Sequence, residues 1–358
     1  MKLKYFDHAA TTPVKEDVLK EMLPFFSVNF GNASSLYSIG RLSKRAIENA
    51  REQVAKAINC EAKEVFFTSC GSESDNLAIK GIARANKDKG KHIITSKIEH
   101  PAVINTCKSL EKDGYEVTYL SVDEKGFINL EELKNSIKDE TILISIMFAN
   151  NEIGTIQPIK EIAKIANESK IVFHTDCVQA IGNVKIDVNE MGIDMLSMSA
   201  HKFYGPKGVG ALYVRKGIDF EKIQDGGHQE KNKRSGTENV AGIVGMGKAI
   251  EIANRNVDNY NRKLIKLRNY FIKEITTKYK DAKVNGDLKQ RLPGNINISF
   301  PNIDGEELLL KLDSQGICAS AGSACSSGIP EPSHVLNAIG LERRYIRGNS
   351  SYNFGRRK

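Results

Sequence analysis

Short apolar runs alternate with longer amphipathic stretches along most of this chain. Runs at 65–68, 92–95, 117–120, 142–146, 171–173, 195–198 and 211–214 are rich in β-branched residues and mostly non-alternating. That is the pattern of strands covered on both faces. Segments with helical spacing lie between them, for instance 72–86, 101–113 and 159–168. The alternation predicts a mainly parallel α/β sheet of seven strands. From 257 to 275, Val257, Tyr260, Leu264, Leu267, Phe271 and Ile275 recur at intervals of three and four, which predicts one long amphipathic helix. The sequence then changes character: Val284, the run 296–300, a helix near 304–314 and a Gly/Ser-rich stretch read as a smaller α+β domain. We expect a large domain over 14–255 and a small α+β domain made of 1–13 and 256–358.

Composition narrows the class. A chain of 358 residues, 40% of them hydrophobic, can bury a substantial core. No stretch approaches the roughly 18 apolar residues that span a bilayer, and residues 1–8 lack the apolar core of a secretory signal. Six cysteines (60, 70, 107, 177, 318 and 325) form no C-x-x-C pair and read as reduced thiols, which points to the cytoplasm. The net charge of +8 gathers in runs such as 87–91 and 356–358, without interleaved aromatics and in a chain lacking Trp. Such a balance reports solubility and non-specific attraction, not nucleic-acid binding as a main function.

Ligand sites of open α/β sheets lie at the carboxyl ends of strands, and chemically suggestive residues fall there repeatedly. Run 171–173 leads into His174-Thr175-Asp176-Cys177-Val178-Gln179, and run 195–198 into Ser199-Ala200-His201-Lys202. An acid closing one buried strand and a lysine closing another suit pyridoxal phosphate: the amine forms a Schiff base with the cofactor aldehyde, and the acid keeps the pyridine nitrogen protonated. Most lysines, however, are solvated surface residues, so the neighbours decide. The stretch Ser69-Cys70-Gly71-Ser72-Glu73-Ser74-Asp75-Asn76 opens a helix and forms a credible phosphate cradle; the ordinary alternative is a helix cap on Ser72 or Ser74. His100, before Pro101, is placed to stack on a flat cofactor or carry protons, or simply to cap its helix. Asn150-Asn151 either form Asx turns or leave Asn151 to address a ring oxygen that Gln179 also reaches.

Together with Asp7-His8-Ala9-Ala10-Thr11-Thr12 and Arg234-Ser235-Gly236-Thr237-Glu238-Asn239, these segments follow the order found in cysteine desulfurases. The chain resembles that family, pyridoxal-phosphate enzymes of the class V aminotransferase fold type, from about residue 5 to 341. The resemblance implies a type I PLP-dependent transferase fold. It implies that Lys202 holds the cofactor aldehyde, Asp176 the pyridinium nitrogen, and Gln179 and Asn151 the phenolic oxygen side. His100 would stack on the ring and assist proton transfer. Gly71, Ser72, Ser199 and His201 would bind the phosphate, joined by Thr237 of the other subunit in a homodimer.

Cys325, in a run of Gly, Ser and Ala, is by itself a thiol with little to pack against. The resemblance, to the NifS/IscS-like branch, makes it the nucleophile that takes sulfur from L-cysteine as a persulfide, leaving L-alanine. It would hand that sulfur to an iron–sulfur scaffold or a tRNA-thiolation protein, and is the one candidate ligand for a transferred cluster; no resident metal is expected. Cys318 reads as structural, and Cys70 and Cys177 are given no catalytic role.

The C-terminus departs from the pattern. After Ser333-His334-Val335-Leu336, relatives carry a segment like Ser-Ile-Arg-Phe-Ser-hydrophobic-Gly-Arg, whose arginine grips the substrate carboxylate. Aligning on Phe354-Gly355-Arg356 puts Ser351 at that place, with Arg347 and Arg356 as substitutes, and the chain stops at Lys358 before the usual tail. Two further readings follow: a selenocysteine lyase or class V aminotransferase, and a catalytically impaired homologue that binds the cofactor and serves as a partner subunit.

Overall fold

The computed structural model describes residues 3–255, 257–321 and 333–355. Its main sheet has seven strands in the order Val65–Thr68, Gly210–Val214, Met195–Ser199, Val172–Asp176, Thr141–Ser145, His92–Ser96, Glu116–Leu120. The last five run parallel, and Gly210–Val214 lies antiparallel to both its neighbours. All seven predicted runs are therefore strands, and the sheet is mainly parallel. Helices cover both faces, which explains why the runs do not alternate. On one face Val54, Ile58, Phe67, Ile144, Ile162, Phe173, Leu196, Tyr213 and Ile250 form one core. On the other, Phe66, Leu77, Ile82, Ile93, Leu110, Leu143, Leu212 and Phe220 form a second.

The predicted helices appear at Gly71–Ala85, Pro101–Lys112, Ile159–Glu168, Val257–Lys278 and Gly305–Ser314. Ser38–Ile58 and Val240–Arg255 are long helices that the apolar runs did not single out. The second carries glycines that lower its helix propensity but are required by packing. A Cβ on Gly245 would sit 2.6 Å from Met22 Sδ, and one on Gly247 2.7 Å from Ala50 Cα.

A second, antiparallel sheet orders Asn349–Asn353, Asn295–Ser299 and Lys283–Val284. Phe271 of Val257–Lys278 packs on it, 5.2 Å from Tyr352 between ring centroids. The N-terminal strand Lys4–Tyr5 pairs in parallel with Ile317–Cys318, which joins the start of the chain to its C-terminal part.

One buried ion pair ties the 228–239 segment to the edge of the main sheet. Glu230, at φ 45°, accepts from Arg51 Nη1 at 2.7 Å, Arg51 Nη2 at 2.8 Å and the Phe67 amide at 2.8 Å. Both side chains are about 5% exposed. Removing one partner leaves an uncompensated charge in the core. Glu230→Ala is expected to lower the unfolding free energy by about 3–5 kcal/mol in urea titrations, whereas a surface pair such as Lys134–Glu131 contributes less than about 1 kcal/mol.

Candidate active site

The parallel strands end on one edge, and the sequence places a reactive residue just beyond almost every one. A cavity of about 380 Å³ opens there. Gly71, Ser72, His100, Asn151, Asp176, Gln179, Ser199, His201 and Lys202 all line it. Thr237 does not; it borders a separate cleft with Arg234 and Glu238. Cys325 and Arg356 lie outside the described residues. Arg347 is exposed and is not part of the lining. Ser351 does line the cavity, and no arginine does so among the described residues.

Each side chain is set by its element. Asp176 ends Val172–Asp176, and its Oδ1 accepts the Val178 amide at 2.8 Å. Burial raises its pKa, while His100 and Lys202 oppose the rise. Lys202 follows Met195–Ser199 in a short 3₁₀ turn and donates to the carbonyl oxygens of Ala9 and of Ala10, the latter at 2.9 Å. Gln179 Nε2 also reaches Ala9 O, at 3.0 Å. The Asp7–Thr12 motif thus serves as a lip over the lysine, pinned where Thr12 Oγ1 donates to His201 O at 2.8 Å.

Two of the ordinary alternatives hold and still leave a side chain at the cavity. His100 Nδ1 accepts the Ala102 amide at 3.1 Å, capping Pro101–Lys112 while the ring faces the cavity. That contact leaves the proton of the neutral ring on Nε2, and burial pushes its pKa down. Asn150 makes the Asx turn, accepting the amides of Glu152 and Ile153, and so leaves Asn151 to the cavity. The cap of Gly71–Ala85 is neither serine: Cys70 Sγ accepts the Glu73 amide at 3.4 Å. Glu73 in turn accepts from the Ser69 amide and from Arg234 Nε, both at 2.8 Å, fastening the cradle to the Thr237 segment. His201 meets Thr11 Oγ1 at 3.1 Å, and burial followed by Lys202 pushes its pKa down to about 4.

Residues that the strand-end reading passed over complete the lining: Asp7, Asp75, Glu152, Ser320, His334 and Asn353. Asp75 belongs to the cradle motif, Asp7 and His334 to other motifs of the sequence, and Glu152 follows Asn151 directly, whereas Ser320 and Asn353 arrive through pairings with Ser351 and Asp7.

A family model described as aminotransferase class-V matches residues 4–347. This chain belongs to the class-V aminotransferase family. Among curated class-V relatives, cysteine desulfurase IscS of Clostridium botulinum (strain Hall) is 58% identical over 353 residues, 98% of this chain and 89% of that protein. Cysteine desulfurase IscS of Methanosarcina thermophila is 56% identical over 355 residues, 99% of this chain and 88% of that one. A solved NifS-like protein superposes with a TM-score of 0.93 at 38% identity, covering 99% of this chain and 94% of its own. A structure described as SspA in complex with cysteine gives 0.88 at 38%, covering 98% of each chain. The class-V chain has the type I fold of pyridoxal-phosphate enzymes.

Its cavity fits that cofactor on internal grounds. A Cβ on Gly71 would meet Val178 Cγ2 at 2.6 Å, so only glycine leaves this helix N-terminus bare for a phosphate. A buried acid, a lysine and a neutral imidazole face the same space.

Burial also pushes Glu99 up to about 8 although its Oε1 accepts from Ser96 Oγ at 2.6 Å and the Met147 amide at 2.9 Å. The folded protein therefore holds a proton that the unfolded chain has lost above the usual carboxylate range. The stability this confers is full at acid pH and fades as pH rises through about 8. Relative to wild type, Glu99→Gln is expected to gain on the order of 1.4 kcal/mol per pH unit between pH 5 and 8 in urea unfolding of the apoprotein. Stability curves that stay parallel over that range would show Glu99 ionised throughout.

Proposed function

We propose that this protein is a cysteine desulfurase that converts L-cysteine to L-alanine and carries the sulfur as a persulfide on Cys325. The observation that carries the reading is the meeting of Lys202, Asp176 and His100 in one cavity of a chain 58% identical to a cysteine desulfurase over 98% of its length. When bound, pyridoxal phosphate supplies an electron sink conjugated to the substrate Cα, which loosens the Cα–H and Cβ–Sγ bonds. Asp176 holds the ring nitrogen in its protonated form through its carboxylate. Gly71, Ser72, Ser199 and His201 hold the phosphate. Lys202 Nζ would hold the cofactor aldehyde and would accept the substrate Cα proton, and the Nε2–H of His100 would support that transfer from the ring face. The Cys325 thiolate attacks the substrate sulfur; an S–S bond forms as Cβ–Sγ breaks, and its electron pair stays with the carbon fragment, which takes up protons to leave as L-alanine.

Several features support the wider reading. Phe26, Val28, Phe30 and Leu36 are exposed apolar residues of one N-terminal stretch, suited to the interface of a homodimer. Thr237, away from its own cavity but fastened to the cradle through Arg234 and Glu73, fits a residue offered to the partner's phosphate. The five described cysteines are all free, in keeping with a cytoplasmic protein. No helix among the described residues is long and apolar enough to cross a membrane. A scaffold for iron–sulfur clusters or a tRNA-thiolation protein is the proposed sulfur acceptor.

Purified protein incubated with L-cysteine and a thiol reductant is expected to release alanine and sulfide in equal amounts. Cys325→Ser should keep the visible absorbance of the bound cofactor and lose both persulfide and sulfide; Lys202→Ala should lose that absorbance. Sulfide release that survives Cys325→Ser would overturn the assignment of the sulfur carrier.

The cavity wall at Ser351 offers a hydroxyl where the family's arginine stands. Ser351→Arg adds a charge-assisted contact to the substrate carboxylate, worth about 1.5–3 kcal/mol. It is expected to lower KM for L-cysteine by roughly tenfold or more with little change in kcat. An unchanged KM would mean that the carboxylate binds elsewhere.

A further inference from the structure

Asp75 stands on the second turn of Gly71–Ala85, lines the cavity beside Asp176, and is only 1% exposed. Its Oδ1 has no hydrogen-bond partner among the described residues. The Ser197 hydroxyl bonds its carboxyl group. That hydroxyl also lies 2.9 Å from His174 Nε2, and His174 Nδ1 lies 2.9 Å from Ser145 Oγ. Strand-borne groups therefore make a chain from Ser145 through His174 and Ser197 to Asp75. His174 Nε2 is itself 3.7 Å from Asp75 Oδ1. Wholly buried, His174 is pushed down to about 3 and brings no positive charge.

The two neighbouring acids are unequally served. Asp176 has the Val178 amide, the charge of Lys202 and the His100 ring acting on it. Asp75 has one hydroxyl, and the other groups that face it are Asp176, Glu99 and the Cys70 thiol. Two ionised carboxylates side by side in a dry floor repel strongly, so the pair holds one proton between them. The proton belongs on the acid that lacks donors. An orphaned oxygen is also cheaper to bury as the C=O of a neutral acid than as half of a carboxylate.

We propose that Asp75 is a positioning residue of the cofactor site, a neutral carboxylic acid held by Ser197 and His174 that confines the buried negative charge to Asp176 and so fixes the acid facing the pyridine nitrogen. Protonated, it donates to Ser197 Oγ, whose hydroxyl donates to His174 Nε2, while Nδ1–H donates to Ser145 Oγ. The acid proton of Asp75, the Ser197 hydroxyl hydrogen and the His174 Nδ1 hydrogen then each have an acceptor.

Three measurements test this. In the infrared, the ligand-free protein at neutral pH should show the C=O stretch of a protonated carboxylic acid that Asp75→Asn lacks; no difference at that stretch overturns the proposal, and this readout does not depend on the cofactor. Titration of the apoprotein with pyridoxal phosphate, followed by fluorescence, should give Asp75→Asn an affinity within about threefold of wild type, because a neutral amide replaces a neutral acid. Asp75→Val should bind at least about tenfold more weakly and shift the pH titration of the cofactor's visible absorbance. Asp75→Asn as weak as Asp75→Val would mean an anion is needed, and Asp75→Val equal to wild type would mean no role; both overturn it. Ser197→Ala, which removes only the linking hydroxyl, should shift the same pH titration while melting close to wild type; an unmoved titration counts against the link. Should Asp75→Val fail to fold, the infrared difference and Ser197→Ala decide.

Discussion

The floor of the cavity is built around the placement of one negative charge. Asp75, Glu99 and Asp176 lie within one another's fields, and water reaches none of them appreciably. Two unit charges about 4 Å apart repel by roughly 4 kcal/mol even at an effective dielectric near 20. Such a floor tolerates a single carboxylate, and it has to be the one with donors. The sheet decides which: Asp176 closes a central strand, where the following turn turns the Val178 amide back onto it and the next strand brings Lys202 alongside. Asp75 and Glu99 come from a helix and a loop, and meet mostly hydroxyls, amides and each other. The chemistry at the strand ends therefore rests on electrostatics set by chain topology.

Much of this was legible in the sequence because the signal is physical. Strands buried on both faces must be apolar at successive positions, and all seven such runs are strands. The direction of Gly210–Val214 was not legible, since a strand has the same side-chain period whichever way it runs. Asn349–Asn353 was missed for a different reason: Asn, Ser and Ser have poor strand propensity, and nothing in the run is apolar except Tyr352. It is a buried strand all the same, because its amides satisfy one another across the sheet. Asn297 Nδ2 donates to Asn349 Oδ1 at 3.4 Å, and Asn295 Nδ2 to Asn353 Oδ1 at 3.3 Å.

The site divides along the same line. Residues that sit at strand ends (Asp176, Ser199, Lys202, and Gly71 just past Thr68) could be found from the apolar runs alone. Those brought in by the pairing of distant segments, such as Asp7, Ser320 and Asn353, could not, because no local pattern announces a contact made across more than 300 residues. Asp75 was visible only as a member of the cradle motif. What distinguishes it, an orphaned oxygen and a histidine relay, exists only once three strands and a helix have closed over it.

The polar strand also shapes how the cavity holds a zwitterion. The floor carries the negative charge, Lys202 faces it as a cation, and the wall around Ser351 and Asn353 offers hydroxyls and amides beside Asp7. On the proposed reading, an amino acid entering this field is oriented chiefly through its ammonium end. A substrate carboxylate placed against that wall would meet amides and hydroxyls, each worth about 1 kcal/mol, where a guanidinium fork would give roughly twice as much per bond. A carboxylate contact is made equally in the ground state and the transition state, because the charge on that group does not change as Cβ–Sγ breaks. On the proposed reading, its weakening falls on substrate binding and leaves the chemical step largely as it was.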